Sequence, residues 1–482
     1  MMASPRDPYG GLDCRTVSPQ VRGAHKPELL VFMAHGLGSS PEDLRYLKLC
    51  VYDIVGERAL VHSSTDNFVP NEVLRQAGRP FAPLVSTGKD ALTGVLMRMA
   101  RDTDRKIKTA SEDGGGRCEV PGASSDVARV VHMGMDLDSE AAQAFGVSRR
   151  EDLRGSGTFG GIEESGERAA RELLDIARTY PSLKRVSLVG NSLGGLFARY
   201  IAAHLYDARS RTVAGLIPED LITIACPHLG TRSYAWQGAV PRSVHRMAAP
   251  AIGRSGEQVL FMDAEVDGEE PLLLRMTEDQ TGPLGRPMPY RSALEAFKRR
   301  TLYANAWGDS LVPYESAAIQ PDPSSAPRVH EDPRFVEKVG IVLEEDVPAG
   351  SISPPPHSPL QGNAGSRDSS EGVSRRPVPL LEGRVAANLT ATMDWHRVIC
   401  HFPIRPMISG PADGIFFPSA HNKICANKRN AYYALTCHEG DEVMQHAARL
   451  IAQGLQDTFD LPSPPESALP GSMPKASATP PV

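Results

Sequence analysis

One serine in this sequence has neighbours that could make it a nucleophile. Ser192 lies in GNSLG, residues 190–194, between an apolar run, RVSLVG, and a segment with helical spacing, LGGLFARYIAAHLYD. A serine on a sharp turn from strand to helix exposes its hydroxyl at the edge of a sheet, and the helix offers backbone amides to an oxyanion. Gly190, Gly194 and the adjacent Gly195 lack the Cβ atoms that would clash in so tight a turn. The motif therefore predicts nucleophilic attack by Ser192 on an acyl carbonyl.

Two other interpretations of this turn involve no nucleophile. A glycine-rich packing turn would need the same small residues. A phosphate-binding turn is disfavoured, because no Walker lysine follows and the GxGxxG spacing is absent. The position of the motif between a predicted strand and a predicted helix favours the nucleophile over both.

A second glycine-bearing turn, HGLGSS, follows the apolar run ELLVFMA at residues 28–34. In α/β-hydrolases the loop at this place contributes one amide to the oxyanion site, and its glycines let the backbone approach the substrate carbonyl. Gly36 is the motif glycine, and Leu37 and Leu193 are the expected backbone donors. Without Ser192, the pair His35-Gly36 is equally consistent with any tight turn.

An acid and then a histidine are expected to follow the nucleophile along the chain. Asp309, in GDSLVPYES, comes directly after the strand-like TLYANA and is the predicted acid. A turn or cap residue is the alternative interpretation of Asp309. His228, in ACPHLGT, precedes the acid, so we expect it to line the pocket or to cap the following turn.

The histidines after Asp309 are the candidates for the general base: His330, His357, His396, His401, His421, His438 and His446. His421, in FFPSAHNKICA, follows the last predicted strand and precedes the last predicted helix, where a base can turn toward the serine. His396 is the second candidate, although it lies inside a predicted strand. An exposed loop histidine is the alternative interpretation of His421.

The rest of the sequence alternates between strand-like and helix-like segments. Strands are predicted at 28–34, 59–64, 185–190, 221–226, 300–306 and 394–402, and helices at 42–56, 161–180, 193–207 and 440–455. The first helix is expected to bury one stripe, formed by Leu44, Leu47, Val51 and Ile54. This alternation predicts an α/β-hydrolase fold with a mainly parallel central sheet flanked by helices.

Residues 26–460 are expected to form a single domain of this kind, with disordered tails at 1–25 and 461–482. Insertions of low order are predicted at about 69–157 and 320–387, the second because its Ser, Pro and Gly cannot bury enough apolar surface. A cap is expected at 231–289. Its apolar stretches AVPRSVHRMAAPAI and PLLLRM are consistent with an acyl pocket and equally with ordinary packing.

The composition excludes several function classes. A net charge of −6 over 482 residues, with no Lys/Arg run, is unsuited to nucleic acid. The 7 cysteines contain no CxxC pair, so neither a disulfide framework nor a zinc ribbon is expected. The start of the chain lacks the apolar region of a secretion signal. We therefore expect an intracellular, cytoplasmic protein without metal or cofactor, and leave open its oligomeric state and any peripheral contact with a membrane or lipid droplet.

Six segments together resemble the DUF676 family of serine esterases, lipase-like α/β-hydrolases, and especially its plant members. They are HGLGSSPEDLRYL, GNSLGGLFARY, ACPHLGT, LFMDAEVDGEEPLLLRM, FKRRTLYANAWGDSLVP and SAHNKI. The resemblance covers roughly residues 28–68, 158–319 and 390–457. The chain departs from the family pattern at Asn191, where His commonly precedes the serine, and in both insertions.

The resemblance implies a triad at the motif positions of Ser192, Asp309 and His421. The family's W-x-x-V strand and Ala-His-x-x-Ile block match DWHRV and AHNKI, which favours His421 over His396. It also implies hydrolysis of a lipid or small ester, by an acylglycerol or phospholipid lipase or esterase. An acyltransferase or thioesterase with the same triad, and an inactive scaffold on this fold, remain the alternatives.

Overall fold

The computed structural model describes residues 26–67, 157–234, 253–264, 268–282, 285–309, 311–355, 378–403, 420–429 and 431–456. Both predicted tails, residues 69–156 of the first predicted insertion and the cap stretch AVPRSVHRMAAPAI lie outside the described residues. No helix in the described part of the chain is long and apolar enough to cross a membrane.

A seven-stranded sheet forms the centre of the molecule, in the order β10-β11-β9-β6-β3-β1-β2. Its strands are parallel except β10, which pairs antiparallel with β11 at one edge. Two short hairpins, β4 with β5 and β7 with β8, lie outside this sheet. The strands are β1 (Leu29–Ala34), β2 (Ala59–Ser63), β3 (Arg185–Asn191), β4 (Tyr206–Asp207), β5 (Thr212–Val213), β6 (Ile217–Ile224), β7 (Asp279–Thr281), β8 (Pro287–Pro289), β9 (Arg299–Asn305), β10 (Gly340–Val347) and β11 (Trp395–His401).

Helices cover both faces of the sheet, which is why β1 can be apolar along its whole length. Leu30 and Phe32 of β1 belong to one core with α2, α3 and α8, whereas Val31 belongs to a second core with α1 and α11. The helices are α1 (Arg45–Val55), α2 (Ile162–Thr179), α3 (Gly194–Leu205), α4 (Leu272–Arg275), α5 (Tyr290–Glu295), α6 (Tyr314–Ala317), α7 (Pro333–Glu337), α8 (Leu380–Thr390), α9 (Ala420–Lys423), α10 (Ala431–Thr436) and α11 (Asp441–Gln456). Residues 253–259 are also helical.

The direction of strand order reverses between β1 and β3. The chain runs from β1 outward to β2, then returns to the other side of β1 and continues through β3, β6 and β9 to β11. In open α/β sheets, ligands bind beyond the carboxyl ends of the strands at such a switch point. The turns after β1 and β3 therefore meet where a binding site is expected. This topology is that of an α/β-hydrolase, as the sequence predicted.

Three local predictions are wrong. Residues 320–387 were expected to be disordered, but they contain α7, β10 and the first part of α8; residues 356–377 lie outside the described part. Strand β10 forms because its backbone pairs with β11, which a local composition argument cannot detect. Helix α3 ends at Leu205, where Tyr206 begins a short strand. Ile54, in the last turn of α1, is 46% exposed, and Cys50 is buried instead.

Candidate active site

The backbone at Ser192 has the strained conformation expected of a nucleophile turn. Its φ angle is +56°, in the left-handed region that L-residues other than glycine rarely adopt. The turn is held from one side by the Ser192 amide, which donates to the Ile224 carbonyl at 2.7 Å. Helix α3 begins at Gly194, and no described residue accepts a hydrogen bond from the Leu193 amide. The turn thus presents a half-buried hydroxyl beside an available backbone N–H.

The turn after β1 lies directly against Ser192. A Cβ atom on Gly36 would stand 2.6 Å from Ser192 Cβ and 3.1 Å from its Oγ, so only glycine permits this approach. The Ser39 amide donates to the Gly36 carbonyl at 3.2 Å and closes the turn around Leu37. Thr158 braces the turn from outside, because its Oγ1 accepts the Gly38 amide at 2.9 Å.

The structure brings the predicted acid and the predicted base together. Asp309 Oδ2 lies 2.9 Å from His421 Nδ1, and the two side chains are 3% and 7% exposed. Because a carboxylate only accepts hydrogen bonds, this contact assigns the proton to Nδ1 and leaves Nε2 of His421 as the basic nitrogen. The two residues are 112 positions apart in the chain, and each follows the carboxyl end of a parallel strand, as Ser192 does.

Asp309 is held by donors from its own loop and from the preceding strand. Its Oδ1 accepts the backbone amides of Leu311 at 3.0 Å and Val312 at 2.9 Å. Its Oδ2 accepts the side-chain amide of Asn305 at 2.8 Å in addition to the contact with His421. A buried carboxylate is therefore fully paired without any permanently charged side chain.

His421 lies in the short helix α9 rather than in the loop that the sequence predicted. The first amide of this helix, at Ala420, donates to the Gly308 carbonyl beside Asp309 at 3.3 Å. Lys423, two residues beyond His421, contacts Glu439 at 2.6 Å, and both side chains are about one-tenth exposed. These contacts hold the histidine segment against the acid loop and against the start of α11.

Three of the other candidate histidines have partners elsewhere. His396, near the start of β11, contacts Asp346 at 2.9 Å and Glu344 at 3.0 Å on the neighbouring strand β10. His446 lies in α11, with Nδ1 2.9 Å from the Tyr303 hydroxyl. His330 packs against Trp307. Neither carboxylate that engages His396 contacts His421 or Asp309 among the described residues, so the second candidate belongs to a separate group of side chains.

His228, which was expected to line the pocket or to cap the following turn, is fully buried. Its Nε2 lies 2.9 Å from Thr223 Oγ1, and its ring packs edge-on against Trp395. Burial therefore lowers the pKa of His228 well below its ordinary value. The predicted cap stretch PLLLRM is likewise buried, with Leu272, Leu273 and Met276 inside the main core, which favours packing over an acyl pocket for these residues.

Sequence reasoning missed two side chains that support this site. Asn305 is the last residue of β9, and a polar residue near the end of the apolar run TLYANA, four positions before Asp309, is the signal that could have identified it. Thr158 lies directly after the predicted insertion, where the sequence offers no pattern. In the described residues, no group of three or more His, Cys, Asp or Glu side chains could hold a metal ion.

A strained serine turn at the switch point of this parallel sheet defines an α/β-hydrolase. Residues 125–322 match the family model described as "Putative serine esterase (DUF676)". The match contains Ser192 and Asp309 and ends before His421. It confirms the family resemblance that the sequence motifs indicated.

Known proteins with similar sequences carry related descriptions. "Putative lipase ROG1" of Saccharomyces cerevisiae is 31% identical over 140 residues, 29% of this chain and 18% of the relative. "Putative lipase YDR444W" of the same yeast is 26% identical over 244 residues, 46% of this chain and 32% of the relative. The chain thus spans less than a third of the length of either relative.

Among solved structures, the RedJ thioesterase of the prodiginine biosynthetic pathway in Streptomyces coelicolor aligns with a TM-score of 0.23 and 14% identity. The alignment covers 62% of this chain and 77% of that chain.

Proposed function

We propose that this chain hydrolyses carboxylic esters of lipids, with Ser192 as nucleophile, His421 as general base and Asp309 as the acid that orients His421. The observation that carries the proposal is the buried Asp309–His421 contact of 2.9 Å at the same sheet edge as the strained Ser192. Asp309 is the only residue whose side chain contacts both His421 and the loop after β9 among the described contacts. The family match supports the reaction class.

The proposed reaction uses one covalent intermediate. His421 Nε2 takes the hydroxyl proton as Ser192 Oγ attacks the ester carbonyl, and the amides of Leu37 and Leu193 hold the resulting oxyanion. The tetrahedral adduct collapses, the alcohol leaves with the proton from His421, and an acyl-serine remains. Water, deprotonated by His421, then attacks the acyl group, and the carboxylic acid leaves as His421 returns the proton to Ser192 Oγ. Asp309 stabilises the imidazolium in both halves of the cycle.

Two exposed apolar side chains support a substrate with an apolar part. Trp307 is 42% exposed and Leu311 is 38% exposed, and they flank Asp309 in the chain. An apolar part of a substrate that covered these two side chains would remove their apolar surface from water, which is favourable. The yeast relatives described as lipases agree with this assignment. We extend the proposal to transient contact with a lipid surface, from which such a substrate would be drawn.

The test is hydrolysis of p-nitrophenyl esters of increasing acyl length, with fluorophosphonate labelling in parallel. Wild type is compared with Ser192→Ala, His421→Ala and His396→Ala. We expect turnover and labelling to be lost in Ser192→Ala, turnover to fall by about 10³-fold or more in His421→Ala, and His396→Ala to keep the wild-type rate. A long-chain optimum would support the lipid assignment.

The remaining outcomes separate the alternatives. Labelling of Ser192 without turnover would point to an acyl acceptor other than water, which labelled acylglycerol, acyl-CoA and alcohol acceptors would then identify. If folded wild type shows no labelling and no turnover, the proposal is contradicted. Ser192 is then a structural turn residue on an inactive scaffold. Loss of activity in His396→Ala, with His421→Ala unaffected, would reassign the base.

A further inference from the structure

Asn305 contributes to the active site although no substrate atom can reach it. It ends β9, is 2% exposed, and its Nδ2 donates to Asp309 Oδ2 at 2.8 Å. The same oxygen lies 2.9 Å from His421 Nδ1. One carboxylate oxygen is therefore shared between the side-chain amide and the imidazole.

The position of Asn305 connects the acid to the sheet rather than to its own loop. The two donors to the other oxygen, Oδ1, are backbone amides of residues 311 and 312, which move with the loop that carries Asp309. Asn305 instead pairs with Cys400 of β11, the strand that leads toward His421. Asn305 thus fixes the orientation of Oδ2 relative to β9 and β11, the two strands that the acid and the base follow.

The amide of Asn305 is oriented at a cost. Its Oδ1 is buried and has no hydrogen-bond partner in the described residues. Rotating the amide by half a turn would pair nothing better, because Oδ1 would then face the carboxylate oxygen of Asp309, acceptor against acceptor. A buried acceptor without a partner destabilises the folded state, because it has lost its hydrogen bond to water. If position 305 had only a structural role, an apolar side chain would fill it better. Buried polar atoms without partners are expected mainly at functional sites.

We propose that Asn305 is a positioning residue of the esterase site. It holds Asp309 Oδ2 in line with the Nδ1–H of His421, and the imidazole in turn presents Nε2 toward Ser192. This inference rests on the proposed function. Asn305 exchanges no proton with the substrate and acts only through Asp309.

The test replaces Asn305 with leucine, which has nearly the same shape and no donor. We expect Asn305→Leu to lower kcat by about 10- to 100-fold, the range that a small misplacement of a catalytic group produces, with KM changed less than about twofold. The rate of fluorophosphonate labelling at Ser192 should fall by the same factor. In proton NMR, the downfield resonance of an imidazole N–H bonded to a carboxylate should shift or broaden.

A matched control lies at the other end of the sheet. Ser187 Oγ donates to Asp220 Oδ2 at 2.7 Å, and both residues are buried. Ser187→Ala therefore also removes a side-chain donor from a buried carboxylate, but we expect kcat and the downfield resonance to stay as in wild type. Asn305→Ala, which removes the donor without adding bulk, takes the place of Asn305→Leu if the latter does not fold.

The outcomes distinguish this inference from the proposed function. Wild-type kcat and an unchanged resonance in the Asn305 variant would overturn the positioning role while leaving the esterase intact. An equal loss of kcat in Ser187→Ala would overturn it as well, since the effect would then be general destabilisation. If wild type itself has no esterase activity, the proposed function fails, and an unchanged resonance in the Asn305 variant would still refute the positioning of His421.

Discussion

The two ends of the central sheet both hold buried carboxylates, but they pair them with different partners. At the amino end, Asp220 contacts Arg299 at 2.6 Å, and its neighbour Glu219 pairs with Arg185 and Lys298. At the carboxyl end, Asp309 is held by an amide side chain, by two backbone N–H groups and by His421. Permanently charged side chains thus pair with the carboxylates at the amino end, whereas uncharged donors pair with the carboxylate at the carboxyl end.

In the proposed mechanism, this difference distinguishes a structural ion pair from a catalytic one. Arginine and lysine carry a permanent charge, so the pairs at the amino end are complete before any substrate arrives. An imidazole carries a positive charge only after it has accepted a proton. In the proposed mechanism the charge pair with Asp309 is complete only while His421 holds the serine proton. We therefore expect substitutions at the amino end to change stability and those at the carboxyl end to change rate.

The largest expected effect is that of Asp309→Asn. The substitution preserves shape, but its amide can present an N–H to His421 and favour the wrong imidazole tautomer. We expect kcat to fall by about 10⁴-fold with little change in the melting temperature. Measuring both on the same preparation tests the comparison directly, because a variant that melts early and retains kcat would make Asp309 a structural residue.

Arg299→Met should affect stability instead. It leaves Asp220 buried beside an apolar side chain, and breaking a buried pair from one side costs about 3–5 kcal/mol in the free energy of unfolding. We expect this loss in urea denaturation and a wild-type kcat at 25 °C. The double variant with Asp220→Asn should lose less than the sum of the single losses, since no uncompensated charge remains. Strict additivity would contradict the pairing.

Glu172→Gln tests whether position at the carboxyl end alone makes a carboxylate reactive. Glu172 of α2 contacts His62 of β2 at 2.8 Å and Ser64, just beyond that strand, at 2.6 Å. Burial opposes ionisation, but the hydrogen bonds from His62 and Ser64 outweigh it and lower the pKa of Glu172 from 4.5 to about 2. We expect a purely structural role, with kcat unchanged.

The pH dependence of that variant has a definite sign. Because the folded pKa lies below the unfolded one, the contribution of Glu172 is complete above about pH 4.5 and is lost as the pH falls toward 2. Glu172→Gln should therefore lower the free energy of unfolding by about 2–3 kcal/mol at pH 7. The difference from wild type should shrink below pH 4.5. Glu164→Gln, on the same helix with a half-exposed carboxylate, is the control, and an equal loss there would contradict the assignment.

The smallest expected effect is that of His396→Gln. Burial lowers the pKa of His396, but Asp346 and Glu344 outweigh it, so the folded pKa is raised above 6.5. Its contribution is thus present below about pH 6.5 and is lost as the pH rises through the folded pKa. We expect less than about 1 kcal/mol at pH 5.5, since the pair is partly solvated, and an unchanged kcat. A greater loss at pH 8 than at pH 5.5 would contradict this sign.

Much of this architecture could be predicted from local patterns. The apolar runs identified six of the seven strands of the main sheet, and the GNSLG turn identified the strained serine, because both depend on neighbours in the chain. Strand β10 could not be predicted, since its pattern GIVLEEDV lies in a stretch dominated by Ser and Pro and is stabilised by pairing with β11. The contact between Asp309 and His421 required the fold as well. The order of the motifs identified both residues as candidates, but only the parallel strands bring them together.

At the left-handed backbone of Ser192, the residue that favours stability differs from the residue that the proposed reaction needs. Glycine adopts a φ of +56° without steric penalty, whereas a serine there costs about 1 kcal/mol or more. We therefore expect the chain to be more stable with glycine at position 192, which has no hydroxyl for the proposed reaction. Selection for stability alone would remove the hydroxyl, so under the proposed mechanism activity and stability trade off at Ser192.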